Sequence, residues 1–159
     1  MLHLKLICLG KLKESFWREA EAEYLKRLQA FAKVEIVELK EESFDEKNSA
    51  EMIKIKEAEK IKSVLNKTKD AVIIVLDEHG KQFSSIAFSK HLFELVGHGS
   101  GDFVFIIGGP LGLDDSILKM ANLKLSFSSF TFTHQMIRVF LFEQIYRAMM
   151  IEAGRQYHY

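Results

Sequence analysis

The segment Asp102–Leu113, which reads DFVFIIGGPLGL, constrains the fold of this chain more than any other. Its first half, Phe103–Ile107, is a short apolar run of aromatic and β-branched residues, the pattern of a strand buried on both faces. The run leads directly into residues 108–112, where three glycines and the only proline of the chain predict a sharp turn. The segment therefore indicates the end of a central strand in an α/β sheet.

A glycine-rich turn at this position has two interpretations. The carboxyl ends of the strands form the usual ligand-binding edge of an α/β sheet, and glycines let backbone N–H groups come close to a ligand. The alternative is a tight turn between a strand and a helix that binds nothing. Because the spacing fits neither G-x-G-x-x-G nor a Walker loop, the turn does not indicate a dinucleotide or a nucleoside triphosphate.

Apolar runs and amphipathic segments alternate along the rest of the chain. Strands are predicted at Leu4–Leu9, Val34–Leu39, Ala71–Leu76 and Phe103–Ile107, with a last short strand at Leu123–Phe127. Helices are predicted from Glu14 to about Ala32, from Ala50 to about Asn66, from Ser84 or Ser85 to Val96, over Asp114–Met120 and from His134 onward. Ser49 is expected to cap the second of these helices. This alternation predicts a three-layer α/β sandwich with a mainly parallel sheet. Because no Pro- or Ser-rich linker divides the chain, residues 1–159 are predicted to form a single domain.

The composition excludes several classes of function. The 22 basic and 22 acidic residues give a net charge of zero, which argues against a non-specific nucleic-acid coat but leaves room for a local basic patch. The single cysteine, Cys8, lies in an apolar run and has no partner for a disulfide within the chain, so we expect a buried thiol in a cytoplasmic protein. The histidines include no H-x-x-x-H pair, and charges interrupt the longest apolar stretch, so neither a metal site nor a membrane span is expected.

The C-terminal part of the chain combines a polar, aromatic loop with a long helix. Thr133 is expected to cap the helix that begins at His134. On a helical wheel, His134 and Arg138 share one edge, whereas Glu143 and Arg147 share nearly the opposite one. Most other positions of this helix are apolar, so it needs two packing partners. One is its own sheet, and the other is predicted to be a second subunit of a homodimer.

Three ordered motifs give the chain a resemblance to a known family. They are FVFIIGGPLGL at 103–113, LSFSSFTFTHQMIRVFLFEQIYRA at 125–148 and the Tyr-His pair near the end, with GKLKE at 10–14 close to the start. This pattern resembles the small SPOUT-class methyltransferases, which methylate N3 of a pseudouridine in bacterial 23S rRNA. The resemblance implies a deep trefoil knot at the C-terminal end, S-adenosylmethionine as cofactor, a homodimer, and 23S rRNA in the assembled ribosome or large subunit as substrate.

The resemblance assigns the cofactor-binding residues, and the catalytic candidates are the reactive side chains available in the C-terminal part of the chain. The cofactor is expected at Leu76, Gly108 and the loop made of Phe127, Ser128, Ser129, Phe130, Thr131 and Phe132. The candidate catalytic groups are Glu143, Arg147, Tyr157 and His158, with His134 and Arg138 as further candidates. The chain departs from the family pattern at two positions. Thr133 stands where the family usually has proline, and Tyr159 stands at the end where many members have a basic residue.

The chemistry at N3 explains why these residue types matter. The imide N–H is largely protonated at neutral pH, so a carboxylate or histidine takes the proton or an arginine stabilises the developing anion. Glu143 and Arg147, four residues apart, alternatively form only a helix salt bridge. Gly154 is expected to end the last helix in a left-handed conformation. The short tail after it is expected to reach the partner subunit's active site, with Tyr157 and His158 completing it. Two other functions stay open: a ribosome-associated RNA-binding factor without catalysis, and a flavodoxin-like nucleotide-binding domain.

Overall fold

A computed structural model of the chain describes residues 1–44, 48–68 and 70–157. Within these residues, strands and helices alternate in the order that the sequence predicts. The elements are β1 (Leu2–Leu9), α1 (Ser15–Leu28), β2 (Ala32–Leu39), α2 (Ala50–Leu65), β3 (Val72–Gln82), α3 (Ser85–Gly97), β4 (Asp102–Ile107), α4 (Asp115–Leu118), β5 (Leu123–Ser126) and α5 (His134–Glu152).

The strands pair in parallel throughout the described sheet. Their order is β2-β1-β4-β3-β5, so β1, β4 and β3 are central while β2 and β5 form the edges. A parallel pair needs a crossover connection, and the helices between the strands supply it. In consequence the carboxyl ends of the strands lie along one edge of the sheet.

Helices cover both faces of the sheet. On one face α5 packs against both α1 and α3, around a core that includes Leu28, Leu92 and Phe142. On the other face α2 and α4 pack together over a second core that includes Ile61 and Ile117. The predicted three-layer sandwich with a parallel sheet is confirmed, whereas the trefoil knot stays a prediction from the resemblance.

Hydroxyl side chains cap three of the helices. Ser49 Oγ accepts a hydrogen bond from the backbone N–H of Met52 at 3.2 Å, and Thr133 Oγ1 accepts one from Met136 at 3.3 Å. Both caps are as predicted from the sequence. Ser84 caps α3 in the same way. Thr133 therefore caps α5 although the resemblance leads us to expect a proline at this position.

Two predicted boundaries are wrong because strand pairing overrides the local sequence pattern. Helical periodicity extends the first helix to about Ala32, but α1 ends at Leu28 and Ala32 pairs with Leu2 at the start of β2. The third strand is predicted to end at Leu76, but β3 continues to Gln82.

The extension of β3 depends on an irregularity opposite β5. Leu125 is in register with both Leu76 and Lys81, so the residues between these two bulge out of the ladder. At Gly80 a Cβ atom would lie 2.6 Å from the carbonyl oxygen of Lys124, which is closer than a side chain allows. Glycine at this position therefore lets the backbones of the two strands approach each other.

Candidate active site

The predicted cofactor residues lie nearly level with one another on three neighbouring strands, just beyond the ends of β4 and β5 and just before the bulge in β3. Leu76 lies on β3, where it pairs with Leu125 of β5. Gly108 follows the last residue of β4, and Phe127 follows the last residue of β5. Because these strands are parallel and adjacent in the order β4-β3-β5, the three positions lie at one edge of the sheet, where α/β proteins usually bind ligands.

The loop Phe127–Phe132 is held at its base and open at its tip. The hydroxyl of Ser126 lies 3.1 Å from the carbonyl oxygen of Glu78 and 3.0 Å from that of Ser128, within reach for donation to either. The backbone N–H of Phe130 donates to Ser128 Oγ at 3.1 Å. The side chain of Phe130 is 80% exposed, so the tip of the loop presents its groups to solvent.

The glycine turn after β4 is closed by its own contacts. The backbone N–H of Gly112 donates to the carbonyl oxygen of Gly109 at 2.9 Å, and Gly112 has a φ of +77°. A Cβ atom on Gly108 would lie 3.0 Å from Leu113 Cγ and 3.1 Å from the carbonyl carbon of Gly112. Glycine at position 108 therefore serves the packing of the turn, whether or not a ligand binds there.

Arg138 is buried in an ion cluster that joins α5 to two other elements. Its Nε and Nη2 donate to the two carboxylate oxygens of Glu21 on α1, and its Nη1 lies 2.8 Å from Glu38 Oε1 on β2. Nη1 also donates to Cys8 Sγ at 3.3 Å. Burial raises the pKa of the Cys8 thiol to about 11, although the adjacent guanidinium opposes this shift. The contacts give Arg138 a structural role, and the prediction that Cys8 is buried is confirmed.

His134, the first residue of α5, faces Glu41 across a short gap. Its Nε2 lies 3.7 Å from Glu41 Oε1. Both atoms are buried, and neither has a hydrogen-bond partner among the described residues. A Cβ atom on Gly10 would lie 2.7 Å from Glu41 Oε1 and 2.9 Å from His134 Nε2, so glycine leaves room for this pair.

Glu143, Arg147 and Tyr157 form a second cluster farther along α5. Arg147 donates to Glu143 Oε1 through Nε at 3.0 Å and Nη2 at 2.5 Å. Its Nη1 donates to the backbone carbonyl of Tyr157 at 2.9 Å, and its guanidinium carbon lies 4.8 Å from the centre of the Tyr157 ring. The structure therefore brings together three of the predicted catalytic residues. The fourth, His158, lies outside the described residues.

The two groups of predicted site residues lie apart within one chain. The cofactor loop ends just before His134 at the start of α5, whereas Arg147 lies 13 residues farther along this helix (147 minus 134). At about 1.5 Å per residue, the axial separation is about 20 Å. Tyr157 folds back onto its own chain, where Arg27 Nη1 lies 3.5 Å from its hydroxyl. The described residues of one chain therefore do not assemble both groups into a single site.

Comparison with known proteins gives the family. The family model described as "Predicted SPOUT methyltransferase" matches residues 2–158. The chain belongs to the SPOUT methyltransferase family. It is 45% identical over 159 residues to ribosomal RNA large subunit methyltransferase H of Lactobacillus johnsonii, with 99% of each chain covered. It is 47% identical over 159 residues to the protein of the same name from Ligilactobacillus salivarius, again with 99% of each covered.

A solved structure shares the fold of this SPOUT methyltransferase. A probable methylase family protein from Haemophilus influenzae Rd KW20 gives a TM-score of 0.55 at 10% identity, covering 98% of this chain and 70% of that chain. At this identity the likeness concerns the fold alone. Because the chain belongs to the SPOUT family, it is not the flavodoxin-like nucleotide-binding domain that was one of the other possibilities.

Among the described residues of this SPOUT methyltransferase, no group of three or more His, Cys, Asp or Glu side chains is arranged to hold a metal ion. In the same part of the chain, no helix is both long enough and apolar enough to cross a membrane.

Two acidic residues near the site were not found by sequence reasoning. Glu41 belongs to the segment Lys40–Asn48, which its charge pattern predicts to be a surface loop, yet Glu41 faces His134. Glu57 on α2 is only 4% exposed. A signal for Glu57 does exist in the sequence, because it lies four residues after Ile53 and four before Ile61, on the apolar stripe of α2.

Proposed function

We propose that this SPOUT methyltransferase transfers a methyl group from S-adenosylmethionine to N3 of pseudouridine 1915 in 23S rRNA. Identity of 45–47% over nearly the full length to proteins named ribosomal RNA large subunit methyltransferase H carries the proposal. The substrate is the assembled ribosome or its large subunit, because a chain with a net charge of zero has no basic excess for binding loose RNA. The enzyme acts in the cytoplasm as a single domain.

The cofactor site consists of Leu76, Gly108 and the loop Phe127–Phe132. When bound, S-adenosylmethionine supplies a methyl group on a positively charged sulfur. The residues suit such a cofactor because they combine an apolar side chain, a glycine directly after β4 and a loop with an exposed tip. Backbone groups of the loop suit the edge of an adenine ring, and Gly108 suits close passage of the methionine part.

The acceptor nitrogen needs its proton removed and its negative charge stabilised. Glu143 provides a carboxylate for the proton, and Arg147, which is bound to Glu143, provides a cation for the charge. Tyr157 and His158 provide rings on which a base can stack. His134 remains a further candidate because it adjoins the cofactor loop. Holding N3 and the methyl group in line contributes most of the rate enhancement.

The enzyme works as a homodimer. Within one chain α1 and α3 already cover much of the apolar surface of α5, so less of it is free than the sequence indicates. An aromatic surface formed by the cofactor loop and α5 nevertheless stays open: Phe130 and Phe132 of the loop and Phe140 of the helix are 80%, 38% and 39% exposed. Phe132 and Phe140 pack edge to face at 5.8 Å. A second copy of the chain covers this surface.

Each active site is composite. The separation of about 20 Å along α5 is overcome when Arg147 and the tail of one subunit reach the cofactor loop of its partner. A two-fold interface makes this exchange reciprocal, so that one dimer has two equal sites. Tyr157 and His158 then contact the nucleoside that is methylated in the partner's site.

Nucleoside mass spectrometry of 23S rRNA from cells lacking the protein tests the reaction. N3-methylpseudouridine is expected to be absent, and to return when the wild-type chain is supplied. Persistence of the methyl group in the deletion strain would refute the reaction. If the methyl group is lost but the purified chain binds ribosomes and no S-adenosylmethionine, the alternative of an RNA-binding factor without catalysis is favoured.

Calorimetry with S-adenosylmethionine tests the cofactor site. Gly108→Val is expected to lower the affinity at least tenfold, roughly 1.4 kcal/mol, because the added side chain collides with Leu113 and Gly112 and displaces the turn on which the ligand lies. The matched control is Gly101→Val, where nothing lies within 4 Å of an added Cβ atom. Circular dichroism establishes that both variants are folded. Unchanged affinity in a folded Gly108→Val protein would count against the site.

A further inference from the structure

Glu57 is a buried carboxylate that the proposed reaction does not use. It lies on the sheet-facing side of α2 and is 4% exposed. Its Oε1 accepts a hydrogen bond from the backbone N–H of Glu42 at 3.0 Å, and it forms no ion pair with any described residue. Burying a carboxylate is unfavourable, and burial raises the pKa of Glu57 above its ordinary value, although the hydrogen bond from Glu42 and the charge of Lys60 oppose this shift. An apolar residue would suit core packing better at this position.

The Glu57 carboxylate lies next to the glycine turn, on the side where Gly109 has no Cβ atom. A Cβ atom on Gly109 would lie 3.5 Å from Glu57 Oε2 and 3.6 Å from Oε1, which is van der Waals distance. Gly109 adjoins Gly108, one of the residues of the cofactor site. Glu57 therefore supports the turn from the side of α2.

The same carboxylate holds a second segment, Glu41–Glu42. Its hydrogen bond to the N–H of Glu42 fixes the backbone next to Glu41, whose Oε1 lies 3.7 Å from His134 Nε2. His134 begins α5 directly after the cofactor loop. The side chain of Glu42 pairs with Lys60, so α2 holds this segment by two contacts.

We propose that Glu57 is a positioning residue of the cofactor site, which ties the glycine turn to the segment Glu41–Glu42 and through it to the start of α5. The identity of the ligand rests on the proposed function. The glycine turn and the cofactor loop come from different parts of the chain, and a ligand that contacts both needs them held to within about 0.5 Å. Glu57 makes the link by its shape and hydrogen bond rather than by its charge.

Calorimetry on Glu57→Ala and Glu57→Gln tests this link. Affinity for S-adenosylmethionine is expected to fall at least about tenfold in Glu57→Ala and to stay within about threefold in Glu57→Gln, because glutamine keeps the shape and the acceptor oxygen. Glu59, exposed on the same helix, provides the controls Glu59→Ala and Glu59→Gln, which bind like the wild type. A less stable Glu57→Ala protein with unchanged affinity would mean that Glu57 is only structural. An equal loss in Glu57→Gln would also overturn the proposal.

Hydrogen exchange of the cofactor-free protein separates failure of this link from failure of the proposed function. In Glu57→Ala, backbone amides of Gly109–Leu113 and Glu41–Glu42 are expected to exchange at least about tenfold faster than in the wild type, while β1 is unchanged. This expectation does not depend on the identity of the ligand. A wild-type chain that binds no S-adenosylmethionine counts against the proposed function, whereas unaltered exchange in Glu57→Ala counts against Glu57 as a link.

Discussion

Arg138 and Arg147 lie on the same helix and both pair with glutamate, yet their surroundings differ. The side chain of Arg138 is 5% exposed, and its partners, Glu21 and Glu38, belong to α1 and β2. The side chain of Arg147 is 23% exposed, and its carboxylate partner, Glu143, lies one turn away on α5 itself. One arginine joins three elements of the fold, whereas the other makes a local pair.

This difference in surroundings means that Arg138 has a structural role, whereas the charge of Arg147 is available for chemistry. Removing one member of a buried ion cluster leaves other charges buried and unpaired, so Arg138 contributes strongly to the stability of the fold. A partly exposed pair four residues apart on a helix contributes little to stability. Arg147 is therefore free to be used in the reaction at small cost to the fold.

The largest effect is expected from Arg138→Ala. The substitution leaves the buried Glu21 without its partner and should lower the free energy of unfolding by about 3–5 kcal/mol. Chemical denaturation of the wild type and the variant measures this difference. Arg147→Ala is the comparison on the same helix. If the two variants lost the same free energy of unfolding, Arg138 would be no more important to the fold than Arg147, which contradicts the comparison.

A somewhat smaller effect is expected from the titration of Cys8. Burial raises the pKa of this thiol from 9.0 to about 11 in the folded chain, so the fold favours the protonated form. The resulting stabilisation of the folded state is complete below pH 9 and is lost as the pH rises towards 11, a loss of about 3 kcal/mol at about 1.36 kcal/mol per pKa unit.

Chemical denaturation between about pH 8 and pH 11 measures the free energy of unfolding of the wild type and of Cys8→Ser. The serine hydroxyl does not ionise in this pH range. The difference in unfolding free energy should shrink as the pH rises. In Arg138→Met the loss of stability should extend to higher pH, because the guanidinium that lowers the pKa of Cys8 in the folded chain is gone. A pH-independent difference would show that the Cys8 thiol is not buried with Arg138 as described.

Arg147→Ala is expected to lower the free energy of unfolding by about 1 kcal/mol or less, since the guanidinium is partly exposed. Methylation of ribosomes should nevertheless fall by about tenfold or more, because the anion at N3 loses its stabilising charge. The control is Lys90→Ala, which removes another i, i+4 pair, that with Glu94 on α3. Full methylation by Arg147→Ala would place Arg147 outside the reaction.

Removal of residues 156–159 is expected to have the smallest effect on stability. It deletes the Tyr157 ring, which packs against Arg147 and lies 5.0 Å from Tyr146, at a cost of about 1 kcal/mol or less. Dimerisation and cofactor binding should persist in sedimentation and calorimetry, while methylation collapses.

Mixed dimers then distinguish a tail that acts on its partner from one that acts on its own subunit. A tail-less subunit combined with a Gly108→Val subunit should regain about one working site per dimer, which the reciprocal arrangement of a two-fold interface allows. Wild-type methylation by the tail-less homodimer would remove the tail from the active site altogether.

Short-range signals made much of the fold predictable. Hydroxyls before apolar stripes predicted the caps at Ser49 and Thr133, and the glycine after the last helix was expected to be left-handed, as its φ of +63° confirms. Such features depend on residues a few positions apart, which is why the pattern is sufficient. The prediction failed at β3, where pairing with β5 and the absence of a Cβ atom at Gly80 extend the strand.

The sequence by itself determined the order of the elements, the parallel sandwich and the family, because periodicity and ordered motifs survive without knowledge of contacts. Only the tertiary structure decided which charges meet. Arg138 is paired with Glu21 and Glu38, which lie 117 and 100 residues away along the chain. The carboxylate of Glu57 lies beside Gly109, which is 52 residues away along the chain (109 minus 57), because α2 packs next to the turn after β4. Pairs of residues that are far apart in sequence come together because of how the helices pack on the strands. The pattern of neighbouring residues carries no information about such pairs.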